Sequence, residues 1–297
     1  SAQAVVPFTF VHDFCLTPNY YVLITNPVAL DIGNAIRAAV GKGTMVGMLR
    51  MDHSQPARIH LIPRPTGACA SSAVRSIDLP RSAITVHHAN AFEMPDGKVR
   101  IITNTFEDFK FGNEFGYIPG ELAVDPEKFN ADCDAIVLRD IVVDPKTLRC
   151  VSFSSLPTIG PTDFISVSPN CSGTASRFVY GTSSSSALKG LSFPFDSISK
   201  IDIEGRKVTS WRAWGQSYVG EPLFVPCARE QAQEDDGFII CMVHDPADKE
   251  GCFMAILDAH NLAETAILHI PAKLPLGFHG QWRSTQKSAG QSGRSKL

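Results

Sequence analysis

Residues 83–106, AITVHHANAFEM-PDG-KVRIITNTF, decide the fold class. Two runs of apolar, β-branched and aromatic residues, 83–94 and 98–106, flank Pro95-Asp96-Gly97. Asp and Gly tolerate the positive φ of a tight turn, so the stretch reads as a β-hairpin. The unit recurs in both directions. Upstream lie YYVLITN (20–26), TMVGMLRM (44–51) and ARIHLIP (57–63). Downstream lie RCVSFSS (149–155), SRFVYGT (176–182), GFIICMVH (237–244), CFMAILDA (252–259) and TAILHIP (265–271). Gly, Pro, Asn and Asp interrupt these runs at close spacing. A sustained 3.6-residue apolar period is nearly absent, and the best helical stretches, 29–39 and 126–133, are short. Glu234-Asp235-Asp236-Gly237 gives a second turn signal, with its carboxylates expected in solvent. The pattern is all-β, a propeller or a large sandwich, and no WD40 or kelch period separates the two.

Composition narrows the function classes. A chain of 297 residues that is 44% hydrophobic can bury a sizeable core. Its net charge is −3 with scattered lysines and arginines, which excludes the basic footprint of a nucleic-acid partner. No run approaches the roughly 18 apolar residues of a spanning helix. The eight cysteines form no CxxC pair, and several sit in strand-like runs, as Cys241 does in FIICMV. They read as reduced, mostly buried thiols of an intracellular protein. The segments SSSSALKG (183–190) and STQKSAGQSGRSKL (284–297) are small and polar, and read as an exposed loop and a flexible tail.

Three histidines sit in separate segments: His12 in VHDFCLTPNYYV, His87 in VHHANAFE and His279 in GFHGQW. Spacings of 75 and 192 residues rule out a local metal finger, so only a fold that gathers distant strand ends could unite them. Imidazole suits iron, zinc and copper, and an all-histidine site leaves the metal's charge uncompensated with positions open. His87 and His88 compete for one place, because neighbouring side chains on a strand face opposite ways. Lone histidines such as His60 and His269 read as packed residues.

Together with GEPLFVP (220–226) and the EDDG turn, these segments resemble the carotenoid cleavage oxygenase family, from Val11 to Trp282 and in the family's order. The resemblance implies a seven-bladed β-propeller with non-heme Fe(II) on its axis, here lacking the first part. Residues 1–283 would form this N-terminally incomplete propeller domain and 284–297 its polar tail. Three of four iron-binding histidines would be His12, His87 and His279, with His87 preferred over His88. The fourth histidine falls upstream of this chain. Glu221 matches a carboxylate that orients a ligating histidine, and Asp163 stands where a glutamate is usual. The implied activity is a dioxygenase that cleaves a carotenoid or apocarotenoid C=C bond with O2 into carbonyl products. The visual-cycle member implies an alternative, polyene isomerisation. The missing histidine leaves another: a metal-deficient truncated propeller that binds an apolar ligand or a partner. Family members draw greasy substrates from bilayers, which implies peripheral membrane contact. The start SAQAVVPF reads as the inside of a longer protein. Ser295-Lys296-Leu297 spells a peroxisomal address, with plastid or cytoplasm as the alternatives.

Overall fold

Period-two alternation builds the strands. In β18 (Gly237–His244), Gly237, Ile239, Cys241 and Val243 are buried while the intervening side chains are less so. The computed structural model describes residues 5–9, 11–42, 46–107, 136–185, 194–229, 231–246, 252–272, 274–275 and 277–283. The helical stretch expected at 126–133 and the tail 284–297 lie outside the described residues.

Among the described residues the strands form five antiparallel sheets, nearly in chain order. β1 (Val5–Phe8), β4 (Val28–Asp31) and β5 (Leu49–Met51) make the first. β2 (Cys15–Leu16), β3 (Tyr20–Thr25), β6 (Arg58–Pro63) and β7 (Arg75–Asp78) make the second. The third runs through β8 (His88–Glu93), β9 (Val99–Thr105), β10 (Val137–Asp144) and β11 (Arg149–Ser155). The fourth runs through β12 (Thr162–Ser166), β13 (Phe178–Ser183), β14 (Ser197–Asp202) and β15 (Lys207–Arg212). In the fifth, β16 (Tyr218–Val219) and β17 (Leu223–Pro226) both pair with β18, followed by β19 (Cys252–Asp258) and β20 (Glu264–Ile270). One helix, α1 (Ile32–Ala39), follows β4; Asp31 caps it by accepting the Asn34 N–H at 3.0 Å.

The opening hairpin folds as read, from β8 through the Pro95-Asp96-Gly97 turn into β9, with Gly97 at φ 83°. Its first strand is shorter than the 83–94 run. Pairing begins at His88, and upstream only Ile84 bridges to Phe106. β9 is buried on both faces, since Ile101 and Thr103 face one sheet neighbour and Ile102 and Asn104 another. Each fully buried isoleucine, Ile101 and Ile102 included, contributes about 1.5–3 kcal/mol.

The first strands of successive sheets meet: β2 touches β8, and β8 touches β12. These leading strands and the loops that enter them converge on one region, which positions the site below. Two expectations need correction. Two of the EDDG carboxylates, Glu234 and Asp235, are tied to other strands, while Asp236 keeps the local partners Arg229 and the Gln233 N–H. Glu234 accepts the Arg177 and Phe178 backbone N–H groups, and Asp235, 4% exposed, accepts from Lys200 at 2.6 Å. A turn of this sequence was bound to look solvated, because its partners belong to the neighbouring fourth sheet. Ser183 and Ser184 are likewise buried rather than exposed; the rest of the SSSSALKG segment from residue 186 lies outside the described residues.

Candidate metal centre

The structure brings His12, His87 and His279 to one point. One nitrogen from each lies within 4.8 Å of the others. Ring centroids are 5.2 Å apart for His12–His87, 5.1 Å for His87–His279 and 6.3 Å for His12–His279. None of the three sits inside a regular element. His12 lies in the loop entering β2, His87 immediately precedes β8, and His279 follows β20 on a coil. Loop placement frees each ring from the alternating directions of a strand.

His88 is turned away. Its Nδ1 meets the Thr103 hydroxyl at 2.7 Å, and burial holds its imidazole down at about 4. Asp13, the acid after His12, accepts the His88 backbone N–H at 3.0 Å and the Phe14 N–H at 2.7 Å. That pair of bonds pins the His12 loop to the start of β8. Nothing in the pattern of apolar residues pointed to this role for Asp13.

Carboxylates hold two of the rings. His87 Nδ1 lies 2.7 Å from Asp163 Oδ1, and His279 Nδ1 lies 3.1 Å from Glu221 Oε1. Glu221 also accepts the Gly280 N–H at 2.7 Å, which fixes the coil beside His279. A carboxylate acceptor selects the tautomer with the proton on Nδ1, leaving the Nε2 lone pair free. His87 Nε2 is fully buried and has no hydrogen-bond partner. A buried orphan acceptor of this kind is costly unless something fills its place. Burial pushes the His87 imidazole down, but the hydrogen bond and charge of Asp163 outweigh it and the net shift is upward. His12 is lowered, first by partial burial and then by the charge of His87.

Asp163 reaches His87 because β12 is distorted. The register with β13 slips between Asp163 and Ser166, and Phe164 adopts φ 47°, a left-handed conformation that is costly for a bulky residue. Both consecutive side chains thereby face the site. The Phe164 ring centroid lies 5.0 Å from His87 and 5.5 Å from His279. Opposite them, Gly181 permits the close approach: a Cβ there would lie 2.9 Å from the Asp163 carbonyl oxygen. Phe164 carries no sequence signal, since one phenylalanine among eighteen says nothing.

The three histidines, Asp13, Glu221 and Phe164 wall a cavity of about 330 Å³. A second cavity of about 190 Å³ adjoins it at Glu221 and His279, walled largely by apolar side chains, among them Leu223, Met242, Met254 and Phe278.

The chain is similar to known proteins of one family. The retinal pigment epithelial membrane protein (RPE65) family model matches residues 1–284. Carotenoid cleavage dioxygenase 7, chloroplastic, of Oryza sativa subsp. japonica is 31% identical over 94% of this chain and 49% of its own length. The apocarotenoid-15,15'-oxygenase of Synechocystis is 29% identical over 94% of this chain and 52% of its own. The cobalt-substituted crystal structure of the Synechocystis apocarotenoid oxygenase superposes with a TM-score of 0.77 at 26% identity, covering 94% of this chain and 54% of that one. The chain thus spans about half the length of the curated relatives it matches. On the family match across nearly its whole length, the chain belongs to the RPE65 and carotenoid cleavage oxygenase family.

Proposed function

We propose that this chain carries part of a non-heme Fe(II) centre of a dioxygenase that cleaves a C=C bond of a carotenoid or apocarotenoid. The observation that carries the reading is the geometry of His87: its Nδ1 is tied to Asp163 and its buried Nε2 is unpartnered beside His12 and His279. That donor set fits a metal of the iron class. His12, His87 and His279 would hold it, with Glu221 and Asp163 fixing ring orientation; a fourth histidine would come from outside this chain. When bound, Fe(II) would supply the redox centre at which O2 and the double bond react to give two carbonyl fragments. The chain's own residues would do the rest. Glu221 and Asp163 hold protons on the outer ring nitrogens so that the inner ones stay free. Phe164, with the apolar wall of Leu223, Met242, Met254 and Phe278, would keep water out and accept a greasy polyene.

The named relatives that cleave carotenoids support cleavage over isomerisation. The five sheets and their meeting leading strands support the propeller reading, as blades of a seven-bladed ring of which residues 1–283 form part. Peripheral membrane contact would use α1 and its C-cap, where Ile32, Ile36 and Val40 are exposed at successive i+4 positions. Among the described residues no helix is long and apolar enough to cross a membrane. The chloroplastic plant relatives favour a plastid over the peroxisome.

The test is metal content of the full native chain, followed by aerobic incubation with carotenoids. About one iron per chain, lost together with product in His279→Ala, is the expected result. Full iron and turnover in His279→Ala refutes the assignment, and no iron in the parent protein points to the apolar-ligand binding module instead.

A further inference from the structure

The carboxylate that meets His87 is that of an aspartate, a short arm, and it does not stand alone. Asn104, on β9, is fully buried. Its Nδ2 donates to Asp163 Oδ1, the same oxygen that meets His87 Nδ1. Its Oδ1 accepts the His87 backbone N–H at 3.2 Å, and its own backbone N–H donates to the His87 carbonyl at 3.2 Å. Three bonds from one residue therefore reach His87, two to its backbone and one through its carboxylate partner. The amide cannot be turned round. Flipping it would aim Nδ2 at a backbone N–H and Oδ1 at a carboxylate oxygen, two repulsive contacts in a buried place.

We infer that Asn104 is the positioning residue of this centre, holding the short Asp163 arm and the His87 backbone in one frame so that the ring presents Nε2 to the cavity. The inference deepens the metal-centre reading and rests on it for its purpose, but not for its geometry. Asp163 comes from the fourth sheet and His87 from the loop entering the third, and without Asn104 a single side-chain hydrogen bond would join the two residues. A buried carboxylate oxygen with one donor would also be under-satisfied. Asn104 removes both problems, because it belongs to the third sheet and donates across to the fourth.

The experiment uses the full native chain with Asn104→Leu, which keeps the volume but removes donor and acceptor. Asn104→Ser, too short to span the gap, is the second variant should the first not fold. Histidine-selective 15N NMR of the metal-free protein near pH 8 reads the tautomer of His87; chelator competition reads Fe(II) and Co(II) affinity. In the parent protein His87 should carry its proton on Nδ1. In the variants that preference should be lost and metal affinity should fall about tenfold, within the usual range for partners of ligating histidines. On top of Asp163→Ala, Asn104→Leu should cost less affinity than it does alone, because the arm is already gone and only the bond to the His87 backbone N–H is left to lose.

An unchanged His87 tautomer in a folded variant overturns the inference, as does a loss that simply adds to that of Asp163→Ala. A tautomer that is locked in the parent and released in the variants, in a protein that binds neither metal, upholds Asn104 as positioning residue while sinking the iron centre.

Discussion

Replacing Lys200 by Met should destabilise the protein by about 3 kcal/mol. Lys200 Nζ lies 2.6 Å from Asp235 Oδ2 and 2.7 Å from the His260 carbonyl oxygen, and 4.1 Å from the Phe178 ring centroid. Both side chains of the ion pair are 6% exposed. Removing one partner of such a pair strands the other charge in the interior, which costs about 3–5 kcal/mol. The lower end applies here because His260 Nδ1 remains 3.0 Å from the same carboxylate oxygen and can donate to it. For a domain of this size the loss corresponds to a fall in Tm of about 6–12 °C. Removing both charges in Lys200→Met/Asp235→Leu should recover all but about 1 kcal/mol, since an apolar pair of similar volume carries no stranded charge. Urea midpoints and thermal melts of the parent, both single variants and the double close the cycle. If Lys200→Met alone melts within 2 °C of the parent, or the double is as unstable as the single, the pair does not fasten the EDDG turn to the fourth sheet and the reasoning fails.

Other outcomes follow from the same geometry. Glu221→Gln keeps the bond to the Gly280 N–H but removes the charge facing His279, so metal affinity should drop about tenfold by chelator competition with the fold intact; unchanged affinity would remove Glu221 from the centre. Gly181→Ala places a Cβ 2.9 Å from the Asp163 carbonyl oxygen and 3.0 Å from Ile165 Cγ2, so it should lower Tm and weaken metal binding together. A change in Tm alone would show that the bulge does not set Asp163. His60 is lowered by burial and then by Arg58, and His244 by burial. The unfolded chain therefore takes up protons on these two more readily, so their stabilisation is full above about pH 6.5 and is lost as pH falls below it. The slope of stability between pH 7 and 5 should flatten in His60→Gln/His244→Gln; an unaltered slope assigns it to other groups.

Some strands escaped the reading of apolar runs for a physical reason. β14 carries Ser197, Ser199 and Lys200 where an apolar residue would be expected, yet all three are buried. Their polarity is absorbed inside the sheet, where Ser183 donates to Ser199 at 2.8 Å and Ser183 and Thr162 share a bond at 2.8 Å. A hydroxyl ladder of this kind is invisible to hydropathy, because each member is satisfied by a strand distant in the chain. TMVGMLRM failed differently: among its described residues only Leu49–Met51 is extended, after a 3-10 turn at Val46–Met48. Of its described apolar side chains only Met51 is buried, while Met48 and Leu49 are half-buried.

What the sequence determined alone is what depends on neighbours in the chain. Runs of apolar and β-branched residues gave the hairpin that runs from His88 to Thr105, Asp96-Gly97 its turn, and the three histidine motifs identified the family and the candidate ligands. The tertiary structure decided everything that needs two sheets at once. It turned His87 toward the cavity and His88 away from it by anchoring the first to Asn104 and the second to Thr103. It aimed Asp163 at a histidine 76 residues away through a bulge that holds Phe164 at positive φ. Hydrogen bonds between distant strands have no local pattern to read, since either partner alone is only a buried polar residue whose cost is cancelled when the chain closes on it.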